Sequence, residues 1–166
     1  MRVDVSEGLT TRLRSIRPAR VSLAPGVKVQ RVRCVLTDGR RFLLVQNNSA
    51  NPEKHGLWSL PGGRLNPREH PRAGLRRELV EEIGLRAPYL VDVGDWWHSD
   101  QYHRVFACAI EPCDPAPQSD EILACAWLPY ADVKRLASGE RLRWGFEVDA
   151  ISAYRRLPRA ARNTTA

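Results

Sequence analysis

The sequence lacks long apolar segments, and its cysteines are few. No apolar run approaches the roughly 18 residues that a membrane-spanning helix requires, and no apolar segment of the secretory-signal type stands near the N-terminus. The 4 cysteines include no CxxC pair, which argues against a zinc site and favours reduced thiols in the core. We therefore expect a cytoplasmic protein without a membrane span, in which a Cys108–Cys113 disulfide is the less favoured alternative to free thiols.

Acidic residues are outnumbered, since 19 Asp and Glu stand against 26 Lys and Arg and leave a net charge of +7. The excess is concentrated in arginines that precede and follow the central region, namely Arg12, Arg14, Arg17, Arg20, Arg155, Arg156, Arg159 and Arg162. Basic character suits an anionic substrate and also attracts nucleic acid, but no basic motif interleaved with aromatic residues accompanies it. We therefore expect a small anionic substrate, with nucleic acid as the less favoured partner and solubility as the alternative role of the charge.

The 166 residues are enough for one domain with a substantial core. The pattern predicts a basic extension at 1–25 that includes a short amphipathic helix around 6–17, a domain at 26–157 and a tail at 158–166. Strands interspersed with helices predict the α/β class. The predicted strands span Val27–Leu36, Phe42–Val45, Leu57–Leu60, Tyr89–Trp97, His103–Ile110 and Ile122–Leu128, and the predicted later helices span Ala131–Ala137 and Trp144–Arg156.

A glycine turn followed by a helix occupies the middle of the sequence. The segment 60–63 cannot continue a regular element, because Pro61 lacks an amide donor and its two glycines adopt backbone angles that other residues resist. A helix is predicted from Pro71 to Ile83, with proline tolerated in its first turn and Gly84 as its C-terminal stop.

This helix has an apolar side and an acidic side. At about 100° per residue, the apolar side contains Leu75, Leu79, Val80 and Ile83. Glu78, Glu81 and Glu82 lie close together on the other side, where three carboxylates repel and so do not favour the helix. A solvated acidic face balanced by neighbouring arginines is one interpretation. The glycine turn that precedes the helix favours the other, a set of hard oxygen ligands for Mg²⁺ beside a closely approaching backbone.

From Gly63 to Leu85 the sequence matches the pattern G-x5-E-x7-R-E-U-x-E-E-x-G-U at every fixed position, and the chain therefore resembles the Nudix family. The resemblance implies a Nudix-like α/β/α sandwich with a mixed sheet. It also implies Mg²⁺-dependent hydrolysis, with Mn²⁺ as a substitute, of a phosphoanhydride in a nucleoside diphosphate linked to a group X. A nucleoside triphosphate or a nucleotide-sugar-like substrate is favoured within that class.

The resemblance further implies roles for the residues of this motif. Glu78, Glu81 and Glu82 match the glutamates that bind the metal in the family, and the Gly63 carbonyl matches a further ligand in some members. Arg77 and Glu69 match supporting positions: Arg77 is expected to orient the glutamates, and Glu69 to bond to Arg77 or to backbone amides.

Two regions supply candidates for the general base. Family members use either a glutamate of the motif or an acidic residue in a later loop, so Glu78 is the first candidate in this chain. Asp120 and Glu121 are the candidates outside the motif, and Glu121 is the preferred one of the two. A solvated loop pair is the alternative interpretation for both.

Aromatic residues and histidines supply candidate substrate contacts. Tyr102 follows Leu85 by 17 residues, near the position of a tyrosine in some Nudix dinucleoside polyphosphate hydrolases, and Trp144 is a second candidate for stacking on a base. His98 and His103 flank a predicted loop and are weaker candidates. Core packing is the alternative for each aromatic residue.

Two other functions remain open from the sequence: a noncatalytic nucleotide-sensing module, and an enzyme that acts on 5′-triphosphorylated RNA. The intact motif disfavours the first, and the basic termini prompt the second. A homodimer is compatible with each of these functions.

Overall fold

The computed structural model describes residues 17–162, which form seven strands and four helices. The strands are β1 Ala19–Val21, β2 Arg31–Thr37, β3 Arg41–Asn47, β4 Trp58–Ser59, β5 Val91–His98, β6 Gln101–Ala109 and β7 Ile122–Pro129. The helices are α1 Pro71–Ile83, α2 Tyr130–Ser138, α3 Glu147–Arg156 and α4 Arg159–Arg162. The predicted helix around 6–17 lies outside the described residues up to position 16, as does the end of the predicted tail, 163–166.

The strands join one mixed sheet. Its order is β1-β5-β6-β2-β3-β4, with β7 paired to β3. Strand β2 is parallel to β6, and the other pairs are antiparallel. Helix α1 contributes Leu79 to a core cluster on one face, and α3 contributes Ile151 to a separate cluster on the other. The structure therefore confirms the predicted α/β class and the mixed sheet between helical layers.

Alternation along β2 assigns its side chains to the two faces. Val32 and Cys34 join the cluster beneath α1, whereas Val35 joins the cluster beneath α3. Arg33 shares the phase of Val35 and is only 4% exposed. A charged side chain therefore occupies a core position of this strand.

Strands β2 and β3 form an antiparallel hairpin. The Asp38 carboxylate accepts hydrogen bonds from the backbone amides of Arg40 and Arg41 at 2.9 and 2.7 Å, and Gly39 takes the positive φ of 91° that the turn requires. Strand β2 begins at Arg31, four residues after the predicted start at Val27.

The glycine turn lies along the edge of β2. The amide of Cys34 donates to the carbonyl of Pro61 at 2.9 Å, and the amide of Val32 donates to that of Gly63 at 3.0 Å. These bonds replace strand pairing where β3 turns away from β2, and they fix the turn beside the sheet.

Helix α1 spans the predicted residues. The ring nitrogen of His70 accepts from the Arg72 amide at its start, and Gly84 ends it in the left-handed conformation, with φ 68°. The prediction was wrong for Val80, which is 47% exposed. The buried arc is centred on Leu79, and Val80 lies about 100° from it, outside that arc, whereas Glu82 falls within it and is buried.

Three elements differ from the prediction. Strand β1 lies in the segment predicted as an extension, pairs with β5, and is too short at three residues to show a pattern. Helix α3 begins at Glu147 and not at Trp144, because Gly145 has a left-handed φ of 79° that interrupts the helix. Helix α4 lies in the predicted tail. The limits of the predicted domain, 26–157, stay a prediction.

The four cysteines are free thiols, as expected. Cys34 and Cys108 lie in the core and Cys125 packs against it, but the expected core position is wrong for Cys113, which is partly exposed. Among residues 17–162, no helix has both the length and the apolar character that crossing a bilayer requires.

Candidate active site

A polar cleft of about 470 Å³ opens between the glycine turn, the outer side of α1 and the start of β7. Its acidic lining consists of Glu78, Glu81, Glu82 and Glu121, and its basic lining consists of Arg31, Arg33, Arg64 and Arg143. The remaining lining residues are Asn47, Asn48, Ser49, Ala50, Gly62, Gly63 and Ile122. The cleft thus brings together the three predicted metal-binding glutamates, Gly63 and the candidate base Glu121.

The glycines permit a close approach of the turn to its neighbours. A methyl group at Gly62 would collide with the backbone carbonyl of Val32, and Gly62 has a φ of 134° that other residues rarely adopt. A methyl group at Gly63 would overlap the carboxylate of Glu78. The sequence therefore needs glycine at both positions, the first against the sheet and the second against a functional side chain.

The peptide of Gly62 is held from both sides. Its amide donates to the Glu82 carboxylate at 2.9 Å, and its carbonyl accepts from the guanidinium of Arg33. These bonds join a side chain of α1 and a side chain of β2 through the turn, so they set the position of the neighbouring Gly63 carbonyl.

Arg77 connects the acidic residues of α1. Its guanidinium donates to both carboxylate oxygens of Glu69 at 2.8 and 2.9 Å, to Glu78 at 3.0 Å and to Glu81 at 2.9 Å. The Glu69 carboxylate also accepts from the Asn66 amide at 2.8 Å. Hydrogen bonds from Arg77 and then from Asn66 lower the pKa of Glu69 to about 2. Glu69 thus holds Arg77, which in turn holds Glu78 and Glu81.

Two of the glutamates in the cleft are difficult to ionise. Burial raises the pKa of Glu82 to about 7, against the opposing charge of Arg33. Burial also raises the pKa of Glu78. A cation placed between such carboxylates relieves their desolvation and their repulsion.

The donor set fits a divalent cation in its chemistry, because carboxylates and a backbone carbonyl are the oxygen ligands that Mg²⁺ and Mn²⁺ take. Across residues 17–162, however, no three acidic, histidine or cysteine side chains converge as a metal-binding group. The reason is that Glu78 and Glu81 are turned to Arg77, and Glu82 to the Gly62 amide. Metal binding by this set requires the carboxylates to exchange these partners for the ion.

Glu121 reaches the cleft from the loop before β7, whereas Asp120 does not line it. The Glu121 carbonyl accepts from the Asn48 amide at 2.8 Å, which ties this loop to the end of β3. Its charge contributes to the raised pKa of Glu82. The structure therefore places Glu121 near the glutamates of α1.

Neither of the predicted substrate-stacking residues lines the cleft. Trp144 is 5% exposed, and Tyr102 lies on β6, where its backbone bonds to Gln30. His103 is fully buried against Trp144 and Phe146, and burial lowers its pKa to about 2. His98 stands edge-on to Trp144, with ring centroids 5.9 Å apart.

The basic side of the cleft was not predicted. Arg31 and Arg33 alternate with apolar residues in β2, and a charged pair in the phase of a buried strand was the available signal. Arg143 follows α2 and has no local pattern that marks it. These side chains meet only because the sheet brings β2 and the segment before α3 together.

Comparisons with known proteins agree with this geometry. A NUDIX domain model matches residues 27–145. Among curated relatives, the Myxococcus xanthus protein named octanoyltransferase is 36% identical over 118 residues, which are 71% of this chain and 29% of that protein. The RNA pyrophosphohydrolase of Bartonella clarridgeiae is 40% identical over 63 residues, or 37% of this chain and 35% of that protein.

A putative 8-oxo-dGTP diphosphatase 2 of Mycobacterium tuberculosis is 47% identical over 53 residues, or 32% of this chain and 37% of that protein. The chain spans about a third of the length of the curated relatives it matches.

Solved structures share the fold. A NUDIX hydrolase from Nitrosomonas europaea superposes with a TM-score of 0.66 at 21% identity, covering 81% of this chain and 92% of that chain. The NUDIX domain of Shewanella oneidensis NrtR, complexed with ADP ribose, superposes with a TM-score of 0.62 at 21% identity, covering 78% and 87%.

Proposed function

The chain belongs to the Nudix family, and we propose that it is a hydrolase that cleaves a phosphoanhydride bond in a nucleoside diphosphate linked to a group X. A nucleoside triphosphate or a nucleotide-sugar-like molecule is the favoured substrate. The observation that supports this proposal is the cleft in which Glu78, Glu81, Glu82 and Gly63 lie together with four arginines. A cytoplasmic location and a homodimer stay predictions from the sequence.

Glu78, Glu81, Glu82 and the Gly63 carbonyl are the proposed ligands of Mg²⁺, with Mn²⁺ as a substitute; when bound, the ion polarises phosphate oxygens and acidifies water. The chain's own residues orient the carboxylates, bind the phosphates and accept the proton. Arg77 orients Glu78 and Glu81, and the Gly62 amide orients Glu82. The cleft arginines supply donors to phosphate oxygens. Glu78 or Glu121 accepts a proton from the attacking water, and Glu78 is the preferred base.

A phosphate-release screen over nucleotide classes, with Mg²⁺ and with Mn²⁺, tests the proposal. We expect Glu82→Gln to depress kcat by orders of magnitude while the protein stays folded, because a carboxylate ligand becomes a neutral amide. Glu69→Gln should cost less, since Glu69 acts through Arg77.

Glu111→Gln is the matched control, because Glu111 is exposed and lies outside the cleft. Normal turnover by a folded Glu82→Gln protein at saturating Mg²⁺ would show that Glu82 is not a ligand. No hydrolysis of any substrate by the wild-type protein would refute the proposed function.

RNA with a 5′-triphosphate is the second candidate substrate. A named RNA pyrophosphohydrolase matches 63 residues of the chain, and such an end presents the same phosphate chain as a free nucleotide. Pyrophosphate release from triphosphorylated RNA, compared with release from free nucleotides at equal concentration, separates the two candidates. The noncatalytic sensing alternative is not favoured, because all three motif glutamates line the cleft.

A further inference from the structure

Three guanidiniums meet on one indole ring at the basic side of the cleft. Those of Arg31, Arg33 and Arg143 each lie 5.1 Å from the ring centroid of Trp144. We call these three residues the arginine cluster. Trp144, which the sequence suggested as a stacking partner for a base, instead contacts the guanidiniums of the cluster. Like charges gathered on one ring repel, so their own interactions do not account for the arrangement.

No carboxylate lies within 4.0 Å of the arginine cluster among residues 17–162, where the ion pairs all involve other basic residues. Carboxylates act on the cluster only at longer range, namely those of Glu78, Glu82, Glu121 and Glu147. The side-chain hydrogen bonds of Arg33 go to the carbonyls of Leu60 and Gly62, and the Nε of Arg31 donates to Gln101 at 2.6 Å. The Nε atoms of Arg33 and Arg143 are buried and have no acceptor in the described part of the chain.

The burial of these charges is costly to the fold. Burial and the charges of Arg33, Arg64 and Arg143 lower the pKa of Arg31 to about 10. Burial also lowers the pKa of Arg33, which is 96% covered. Buried charges are normally paired with carboxylates or replaced by apolar residues. Three guanidiniums at the wall of a cleft, none of them in direct contact with a carboxylate among residues 17–162, are suited to binding an anion that enters the cleft.

The terminal phosphate of a phosphate chain matches the cluster better than an internal phosphate does. A terminal phosphate carries close to two negative charges and three free oxygens near neutral pH, whereas a doubly esterified phosphate carries one charge and two free oxygens. Guanidinium groups bind such oxygens in paired hydrogen bonds. The proposed metal-binding glutamates line the same cleft as the arginine cluster. A short phosphate chain in this cleft can therefore contact the glutamates and the arginine cluster at the same time.

We propose that Arg31, Arg33 and Arg143 bind the terminal phosphate of the substrate, so that the enzyme favours substrates with a free phosphate end over those esterified at both ends. This inference rests on the proposed function and narrows it to nucleoside triphosphates and other triphosphate ends, as opposed to nucleotide sugars. The link through Gly62 supports it: Arg33 bonds to the Gly62 carbonyl and Glu82 to the Gly62 amide. A phosphate on the cluster is thereby positioned relative to the glutamates.

Steady-state kinetics test the substrate preference. We expect the best of ATP, GTP, CTP and UTP to exceed both ADP-ribose and UDP-glucose in kcat/KM by about tenfold or more, the size of one charge-assisted contact. Arg143→Gln should lower kcat/KM for the triphosphate by a similar factor, and by several-fold less for the doubly esterified substrates. Arg135→Gln is the charge-matched control, because Arg135 is 79% exposed on α2.

The outcomes separate the two proposals. Equal losses for both substrate types in Arg143→Gln, or a wild-type preference for ADP-ribose, would overturn the inference and leave phosphoanhydride hydrolysis intact. Absence of turnover on every substrate would refute the proposed function. A binding measurement then tests separately whether the arginine cluster binds a terminal phosphate.

Binding is measured without catalysis, with inorganic tripolyphosphate as the probe in EDTA at fixed ionic strength. Tripolyphosphate should raise the Tm of the wild-type protein and of Arg135→Gln, because a ligand of the folded state stabilises it. Arg143→Gln should lose most of that rise, measured against its own Tm without tripolyphosphate. Should Arg143→Gln fail to fold, Arg31→Gln at the start of β2 takes its place. An equal rise in all the proteins would mean general polyanion binding and would overturn the inference.

Discussion

Glu147 lies fully buried behind the cleft, at the start of α3. One oxygen of its carboxylate accepts from the Trp144 amide at 3.0 Å, and the other has no donor among the described residues. Burial raises its pKa from 4.5 to about 7. Because the folded state then holds the proton more tightly than the unfolded state, Glu147 costs stability as the pH rises from 4.5 to about 7.

Glu147→Gln should therefore gain in Tm relative to the wild-type protein as the pH rises through this range, and the gain should level off above it. The amide keeps the acceptor for Trp144 and never ionises. The difference between the two proteins is the quantity to measure, because buried His103 acts in the opposite sense: its lowered pKa costs stability as the pH falls below 6.5. That contribution is common to both proteins and cancels. A difference in Tm that does not change with pH would show that Glu147 is already charged or already neutral throughout.

The pH–rate profile distinguishes the two candidate bases, Glu78 and Glu121. If Glu78 is the base, Glu78→Gln should lower kcat sharply and remove the acidic limb of the profile, and Glu121→Gln should keep that limb. We expect this result, because Glu78 projects from a rigid helix against Gly63, whereas Glu121 stands in an exposed loop. Removal of the limb by Glu121→Gln alone would place the base in the loop before β7.

At the scale of elements, the glycine turn supports two functions that adjacent substitutions separate. Gly62→Ala places a methyl group against the Val32 carbonyl and strains a φ of 134°, so we expect a loss of stability of roughly 1–3 kcal/mol. Gly63→Ala meets the movable end of Glu78, so the fold should survive while kcat/KM falls about 100-fold through misplacement of that carboxylate. Urea unfolding and kinetics on both variants test the contrast. A Gly63→Ala protein that loses stability but not activity would mean that the turn serves the sheet alone.

Elements with their own end signals were predictable from the sequence. Helix α1 carries proline at its start and Gly84 at its end, and the structure has the same bounds. The hairpin of β2 and β3 is specified by its Asp-Gly turn. Strand β1 was missed, because three residues paired only with β5 have no local pattern. The start of α3 was misplaced, because Gly145 has a left-handed φ that no residue pattern from Trp144 onward indicates.

At the scale of the whole molecule, the acidic side of the cleft was predictable and the basic side was not. The glutamates lie within one turn of a single helix, so their sequence spacing brings them together. Arg31, Arg33 and Arg143 come from segments about 110 residues apart, and only the sheet topology and the burial of Trp144 bring them to one ring. Long-range convergence of this kind has no sequence signal in a single chain.

The arginines near the ends of the chain are largely committed to the fold where the structure describes them. Arg20 donates to the Val93 carbonyl at 2.9 Å and lies 5.4 Å from the Trp96 ring. Arg155 lies 4.4 Å from the Tyr130 ring, and Arg156 donates to Ser152 at 2.6 Å. Guanidiniums that support the protein in this way are less available to nucleic acid than free ones. The net charge of +7 is therefore weak support for an RNA substrate.

Deletion of residues 1–16, which keeps Arg20 and β1, tests the role of the remaining N-terminal charge. We expect kcat/KM on small nucleotides to stay within a few-fold of the full chain, because the residues that line the cleft are all retained. If the arginines within residues 1–16 bind RNA phosphates, the deletion should weaken binding of a long triphosphorylated RNA more than it affects small nucleotides. Wild-type affinity should then fall by roughly 0.7 log units per tenfold rise in salt for each phosphate contact, and the slope should flatten on deletion. We expect no such change in slope, because a single-strand platform usually combines basic residues with stacking aromatics, and residues 1–16 contain no aromatic side chain. A steep slope that disappears on deletion, with small-nucleotide turnover unchanged, would make triphosphorylated RNA the preferred substrate.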